Sequence, residues 1–264
     1  MTELEHLQKV ILSIAKDVDK LCRDNGIEYY LLGGSCIGAI RHHGFIPWDD
    51  DLDIVMSRKN YDKFIDVCCR KLDKSKYSLQ VGGEDWPLNF SKIRLKGTVL
   101  HEPEDEYAND EQHGIYVDIF FVDNAADGLI DSRLQYFLAK YDLCYRLGER
   151  RYKSTTMKKK LLIALSAPMK IKFIRDSVRK YINRWADKET KRFGFYYGVT
   201  RWRNAIIPKY IYGKPVYVDF EDTRLPVPEH WHEYLTQMFG DYMKLPPEEQ
   251  RQSHHLISVD FGKY

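Results

Sequence analysis

Four aspartates fall within five positions of the stretch HHGFIPWDDDLDIVM, residues 42–56: Asp49, Asp50, Asp51 and Asp53. Apolar residues flank and interleave them, so these carboxylates lie beside what reads as core. Like charges at that spacing repel, and near a low-dielectric interior the repulsion persists unless a cation neutralises it or one group keeps its proton. If DLDIVM is a strand, its period of two sends Asp51 and Asp53 to one face and Leu52 and Ile54 to the other. Hard divalent cations take oxygen ligands, and magnesium commonly combines one or two carboxylates with substrate phosphates. A metal accounts for the pair economically, although a D-x-D pair alone is also common in solvated acidic turns.

A second strand, GIYVDIFFVD at 114–123, carries Asp118 as a lone charge in an apolar run. If it lies next to the first, Asp118 completes a three-carboxylate set able to hold two metals, the arrangement that clamps attacking and leaving oxygens in phosphoryl displacement. Gly33-Gly34-Ser35 precede the acids by fewer than twenty residues, and such a turn exposes backbone N–H groups that can cradle phosphate. Arg41 is a candidate for phosphate oxygens. Lys92 and Arg94 share one side of the expected strand SKIRL, with Ile93 and Leu95 turned inward, and are candidates for a diphosphate or for a plain basic face. Trp48, next to Asp49, can stack on a base or cover a cationic head group, or simply belong to the core.

The elements that must position these residues are legible in outline. Leu4, Leu7, Ile11, Ile14, Val18 and Leu21 recur at helical spacing and predict a helix ending at Asn25-Gly26. IEYYLL at 27–32 reads as a strand closed by the glycine pair, SCIGAIRHH as a brief helix, and Ser57 as the N-cap of a helix over RKNYDKFIDVCCRKL. YSLQV and FSKIRL add strands. Residues 129–193 read as helices broken near Ser166–Pro168, followed by a helix near PEHWHEYLTQMF. The expectation is an α+β fold with a mixed sheet flanked by helices, divided into a core at 1–128 and a mainly helical lobe at 129–264.

Bulk properties narrow the class. The chain has 264 residues, 44% hydrophobic and 14% aromatic, enough for a substantial core, and its formal charge of +2 demands no nucleic-acid partner. Five cysteines without CxxC spacing argue against a disulfide framework or zinc site and suit a reducing, cytoplasmic setting. The N-terminus lacks the apolar core of a signal peptide, and LLIALSAPM falls short of a bilayer span. Basic side chains concentrate in residues 150–192, among them Lys158, Lys159, Lys160, Lys170 and Lys172, interleaved with leucines and isoleucines. Such helices fit either an anionic membrane surface or a second lobe that buries one face and solvates the other.

Taken together, LLGGSCIGAIRHHGFIPWDDDLDIVM, YVDIFFVDN and FGDYMKLPPEEQRQSHH resemble the signature segments of the LicD family of phosphotransferases, which includes the fukutin-related proteins. The resemblance is carried by segments that make up about a fifth of the chain. It departs from the family pattern at Phe121, where proline is usual, and at Phe239, where tyrosine is. It implies a nucleotidyltransferase-like fold in which Gly33, Gly34 and Ser35 approach phosphates, Asp51 and Asp53 bind Mg2+ or Mn2+, and Asp118 is the third acid and candidate base. Asp49 and His254 (or His255) join as substrate-binding candidates. The implied reaction moves a phospho-alcohol, phosphocholine first among them, from a CDP-activated donor such as CDP-choline to a sugar hydroxyl of a glycan acceptor, lipid-linked or not. True nucleotidyl transfer with pyrophosphate release, and a silent glycan-assembly scaffold, stay open as alternatives.

Overall fold

The computed structural model describes residues 1–83, 85–101, 113–150, 156–198, 200–252 and 258–264. In chain order the elements are α1 (Glu3–Asp24), β1 (Tyr30–Leu31), α2 (Gly33–Arg41), β2 (Asp53–Ser57), α3 (Arg58–Lys71), β3 (Tyr77–Gln80), β4 (Ser91–Leu95), β5 (Val99–His101) and β6 (Tyr116–Ala125). There follow α4 (Leu129–Glu149), α5 (Met157–Leu165), α6 (Lys172–Ile182), β7 (Arg192–Gly194), α7 (Trp202–Ala205), β8 (Ile206–Pro208) and α8 (Lys209–Tyr212). The chain closes with β9 (Val216–Phe220), β10 (Thr223–Val227), α9 (Trp231–Phe239) and β11 (Ser258–Asp260). Helices and a mixed sheet make this an α+β fold, as expected.

Two compact units result, and neither is one continuous segment. The first comprises Met1–Val81, Phe90–Phe120 and Tyr210–Tyr264; the second comprises Gly82–Asn89 and Phe121–Lys209. This differs from a division at residue 128, because the C-terminal segment folds onto the N-terminal elements. Within the first unit Phe45 packs edge-on against Phe220 with ring centroids 5.0 Å apart. The Tyr217 hydroxyl donates to Asp19 at 3.1 Å, as does that of Tyr29 at 2.9 Å.

The first unit is organised by a sheet of order β1-β2-β6-β4-β3. Tyr30 and Leu31 of β1 face Val55 and Ile54 of β2 in antiparallel register, and Lys92 of β4 faces Asp118 of β6. α1 begins with a full capping box, Thr2 accepting from the Glu5 N–H and Glu5 from the Thr2 N–H, and it buries Leu7, Ile11 and Ile14. α3 is capped by Ser57, whose hydroxyl accepts from the Asn60 N–H. Each such cap contributes about 1 kcal/mol. The expected alternation in DLDIVM holds for Leu52 and Ile54, both buried beside half-buried Asp51 and Asp53, and then ends, since Val55 and Met56 are buried as well. β2 lies between β1 and β6, which pair its edges, and α2 and α3 both pack against it.

The second unit has its own small core of Ala125, Tyr136, Ala139, Tyr196, Ala205 and Ile206. The last residues of β6 pair with β7, and β7 with β8, while α4 supplies Gln135, whose side chain bonds the backbone of Asn124, Ala126 and Ile182. Asp142 is buried between two arginines, accepting from Arg146 at 2.7 Å and Arg179 at 2.9 Å. The expected break near Ser166–Pro168 appears as the end of α5 and a short 3-10 turn at Ala167–Lys170.

Gly38 ties α2 to the acidic loop. Its carbonyl accepts from the N–H of His42 at 2.8 Å and of Gly44 at 3.4 Å, and an added Cβ would lie inside van der Waals contact of the Gly44 carbonyl oxygen. Backbone is pressed against backbone here, so relaxation is not local. Gly38→Ala is therefore expected to cost about 1–3 kcal/mol in urea unfolding, the usual range for overpacking. A change within about 0.3 kcal/mol, inside the scatter of ordinary surface substitutions, would show that the approach is not rigid.

Candidate functional site

The glycine pair opens α2 rather than forming a turn ahead of it. Leu32 is the N-cap and has no side chain able to cap, Gly33 takes a left-handed φ of 54°, and the helix runs from Gly33 itself. Two hydrogen bonds lock this helix head to the acidic strand. The Leu32 N–H donates to the Asp53 carbonyl, and the Asp53 N–H donates to the Ser35 hydroxyl, both at 2.9 Å. Ser35 is buried, and its hydroxyl oxygen serves here to hold the D-x-D strand in place. The Gly33 N–H reaches the Tyr234 hydroxyl of α9 at 3.4 Å.

Asp49 comes up against the same helix head. A Cβ on Gly34 would stand 2.8 Å from Asp49 Oδ2, so only glycine lets the carboxylate take this position without a shift. The loop that delivers it is held from α1, where the Gln8 side-chain amide donates to the carbonyls of Ile46 at 3.2 Å and Asp49 at 2.8 Å. On its other side Phe45 donates its N–H to Glu221 Oε1, and Glu221 donates its own to the His43 carbonyl. Gly33, by contrast, would place a Cβ in open space. The helix head is thus closed by a carboxylate at Gly34 and open at Gly33.

Mutual repulsion is written into the proton affinities. Burial, reinforced by Asp51 and Asp50, pushes the Asp49 carboxyl up to about 8. Burial pushes Asp53 well above the usual carboxylate range, with Asp51, Asp118 and Asp49 adding to the effect and Lys92 opposing it. The acids of the two strands therefore feel one another's fields. Asp118 Oδ1 lies 3.0 Å from the Lys92 ammonium, which also sits 3.3 Å from the centroid of the Tyr116 ring. Among the described residues no three His, Cys, Asp or Glu side chains form a ready-made metal ligand set. The donor chemistry nevertheless fits a hard divalent cation: oxygen ligands only, with raised proton affinities that a cation would relieve.

Several expected roles read differently in place. Arg94 is buried and satisfied internally, its Nε donating to Gln80 Oε1 at 3.1 Å and its Nη1 to the Gly114 carbonyl at 3.0 Å, with the guanidinium over the Tyr116 ring. β4 is an interior strand between β6 and β3, and all five of its residues are buried, so no solvated basic face exists there. Lys92 is likewise buried and engaged with Asp118. Arg41 donates from Nη1 to the Tyr242 carbonyl at 2.6 Å and weakly to that of Lys244, which commits it to the C-terminal GDYMK segment rather than to an open phosphate position. Trp48 is half-buried, met by the Arg251 guanidinium 5.6 Å from its ring centroid and by the edge of His42. His254 and His255 lie outside the described residues.

Four residues that shape the site carry no sequence signal of their own. Gln8 interrupts nothing in the periodicity of α1, Tyr234 looks like any aromatic helix residue, and Tyr116 like any strand aromatic. Arg251 sits in a polar stretch. Only distance in space, not spacing in sequence, joins them to the aspartates.

A family model described as LicD/FKTN/FKRP, nucleotidyltransferase domain, matches residues 26–136, which contain the helix head and Asp49, Asp50, Asp51, Asp53 and Asp118. Lipopolysaccharide cholinephosphotransferase LicD of Haemophilus influenzae is 31% identical over 268 residues, spanning 96% of this chain and 96% of that protein. Uncharacterized proteins of Rickettsia prowazekii and Rickettsia typhi are each 46% identical over 44 residues, 17% of this chain. Likeness that runs from end to end of a relative of equal extent, on top of a matching domain around the aspartates, has one reading: the chain belongs to the LicD family.

Proposed function

We propose that this protein transfers phosphocholine from CDP-choline to a sugar hydroxyl of lipopolysaccharide or a related surface-glycan precursor, teichoic acid included. The observation that carries the reading is that Asp49 and Asp53 meet at the head of α2 and feel the charges of Asp51 and Asp118. Full-length similarity to a protein named for cholinephosphotransfer supports the choice of cargo. In the reaction the acceptor oxygen bonds to the choline-bearing phosphorus, the bond from that phosphorus to the bridging oxygen breaks, and CMP leaves.

Asp51, Asp53 and Asp118 would hold Mg2+ or Mn2+, which when bound neutralises the diphosphate and the departing CMP. At the head of α2 a phosphate would meet helix N–H groups and the helix dipole, with space beside Gly33, whose own N–H reaches the Tyr234 hydroxyl. Ser35 fixes Asp53 relative to that anion through the Asp53 N–H. Asp118, oriented by Lys92, accepts the proton of the attacking hydroxyl. The family model's nucleotidyltransferase description favours one second reading, transfer of the nucleotidyl group with pyrophosphate leaving.

Incubation with CDP-choline, magnesium and a glycan acceptor is expected to release CMP and to form a phosphodiester seen by phosphorus NMR. Pyrophosphate release from a nucleoside triphosphate, with CDP-choline inert, would replace this reading by the second one. Asp53→Asn is expected to lower kcat on the order of 100- to 1,000-fold, the scale for losing one preorganised charge-stabilising group.

The same variant separates function from stability. A carboxyl whose folded pKa is raised stabilises the fold below its unfolded pKa and loses that contribution as pH rises through the folded value. For Asp49 the window runs from the ordinary 3.8 to about 8, and for Asp53 it starts at the same point and extends upward. Without metal, the Tm of Asp53→Asn should therefore rise above that of the wild type as pH increases toward 8, and added magnesium should close the gap by stabilising the wild type alone. A gap independent of both pH and magnesium would sink the cation reading.

A further inference from the structure

The second unit carries a surface that its own packing leaves uncovered. Met157, Leu161 and Leu165 recur every four residues along one side of α5 and all are exposed, Met157 at 78%. Ile171 and Phe173 continue the exposure past the 3-10 turn, Phe173 at 80%. α6 turns a half-buried stripe of Ile174, Val178 and Ile182 toward the unit, with Ile182 packed on its small core, so the expectation of one covered face holds there, whereas α5 contains no buried residue. The stretch is pinned at its bend instead, by buried Met169 and Ser166, by the Tyr141 hydroxyl donating to the Leu165 carbonyl and by Arg175 donating to that of Met169.

Charge identifies what such a surface suits. Residues 157–184 hold nine lysines and arginines and one acid, Asp176, which pairs with Lys172. Lys158 and Lys160 flank the α5 stripe, and Lys170 and Lys172 flank Ile171, all of them exposed. Lysine beside exposed leucine and phenylalanine is unusual for a protein–protein interface, whose core is depleted in lysine. It is what an interfacial helix needs, with apolar side chains entering the head-group boundary and ammonium groups meeting lipid phosphates. None of the helices searched among the described residues is long and apolar enough to cross a membrane, so contact through them would lie along the surface.

We propose that α5, the bend at Ala167–Lys170 and the start of α6 form a docking surface for an anionic lipid bilayer. It belongs to the second unit and does not depend on the transferase reading.

Flotation of the full chain with vesicles tests it. Binding to phosphatidylcholine vesicles containing phosphatidylglycerol, weak or absent binding to phosphatidylcholine alone, and loss at high salt are expected. Replacing Lys158, Lys159 and Lys160 by Gln should lower the partition coefficient on the order of 100-fold, at the usual contribution per basic residue. Leu161→Ser with Phe173→Ser should weaken binding while leaving the melting temperature within the scatter of surface substitutions. A wild-type chain that stays at the bottom of the gradient with both vesicle types overturns the proposal without recourse to any variant. So does equal binding to both, or a dimer in sedimentation that Phe173→Ser dissociates, which would make a second copy the occupant.

Discussion

Repulsion among carboxylates that cannot move apart is the constraint around which the first unit is built. Its aspartates are held from every side by groups that bond backbone rather than charge: Leu32 and Ser35 fix Asp53, Gln8 fixes the carbonyl of Asp49, and glycine at 34 leaves room for the Asp49 side chain. Other buried acids of the chain live under different terms. Asp19 receives two tyrosine hydroxyls and an arginine, and Asp142 receives two arginines. Those are closed networks of the kind that specify packing. In the cluster near α2 burial and the neighbouring acids together raise the proton affinity of Asp49 and Asp53, the reverse of what an ion pair does to a carboxylate.

Lys92 is the exception that makes the arrangement tolerable. Placed directly opposite Asp118 in the β4–β6 register, it brings a positive charge into a sheet interior, and the Tyr116 face beneath it compensates for part of the lost hydration. The neighbouring Arg94 is handled in the same way, with Gln80, Gly114 and again Tyr116. One tyrosine therefore serves two buried cations, and a strand that reads as half-solvated is fully covered.

What could be read in the sequence follows the range of the interactions concerned. α1 and α3 are set by local periodicity and by caps three residues away, and both appear where Leu7, Ile11, Ile14 and Ser57 place them. The D-x-D strand is legible only in part: β2 begins at Asp53, leaving Asp51 ahead of it, and the local alternation stops at Ile54. The glycine pair suggests a tight turn on composition alone, yet Gly33 and Gly34 begin the helix, because the hydrogen bonds from Leu32 and Asp53 carry the chain straight from β1 into it. The settings of Arg41 and Arg94 were illegible for a different reason: their acceptors, the Tyr242 carbonyl and the Gln80 side chain, lie 201 and 14 residues away, and an arginine's sequence neighbours do not reveal what awaits it. The grouping into two units is non-local too, since short strands such as β9 and β10 give no hint that they return to α2 and β1.

The contact between Gly33 and Tyr234 closes a loop of 201 residues, and Arg41 reaches Tyr242 across the same span. Closing so long a loop costs conformational entropy that only the finished C-terminal segment can offset. During synthesis the ribosome must therefore have released the chain through Tyr242 before the head of α2 is buttressed, although β2 and its acids emerge early. A high-contact-order closure of this kind slows maturation and leaves the nascent N-terminal half dependent on partners that have not yet been translated.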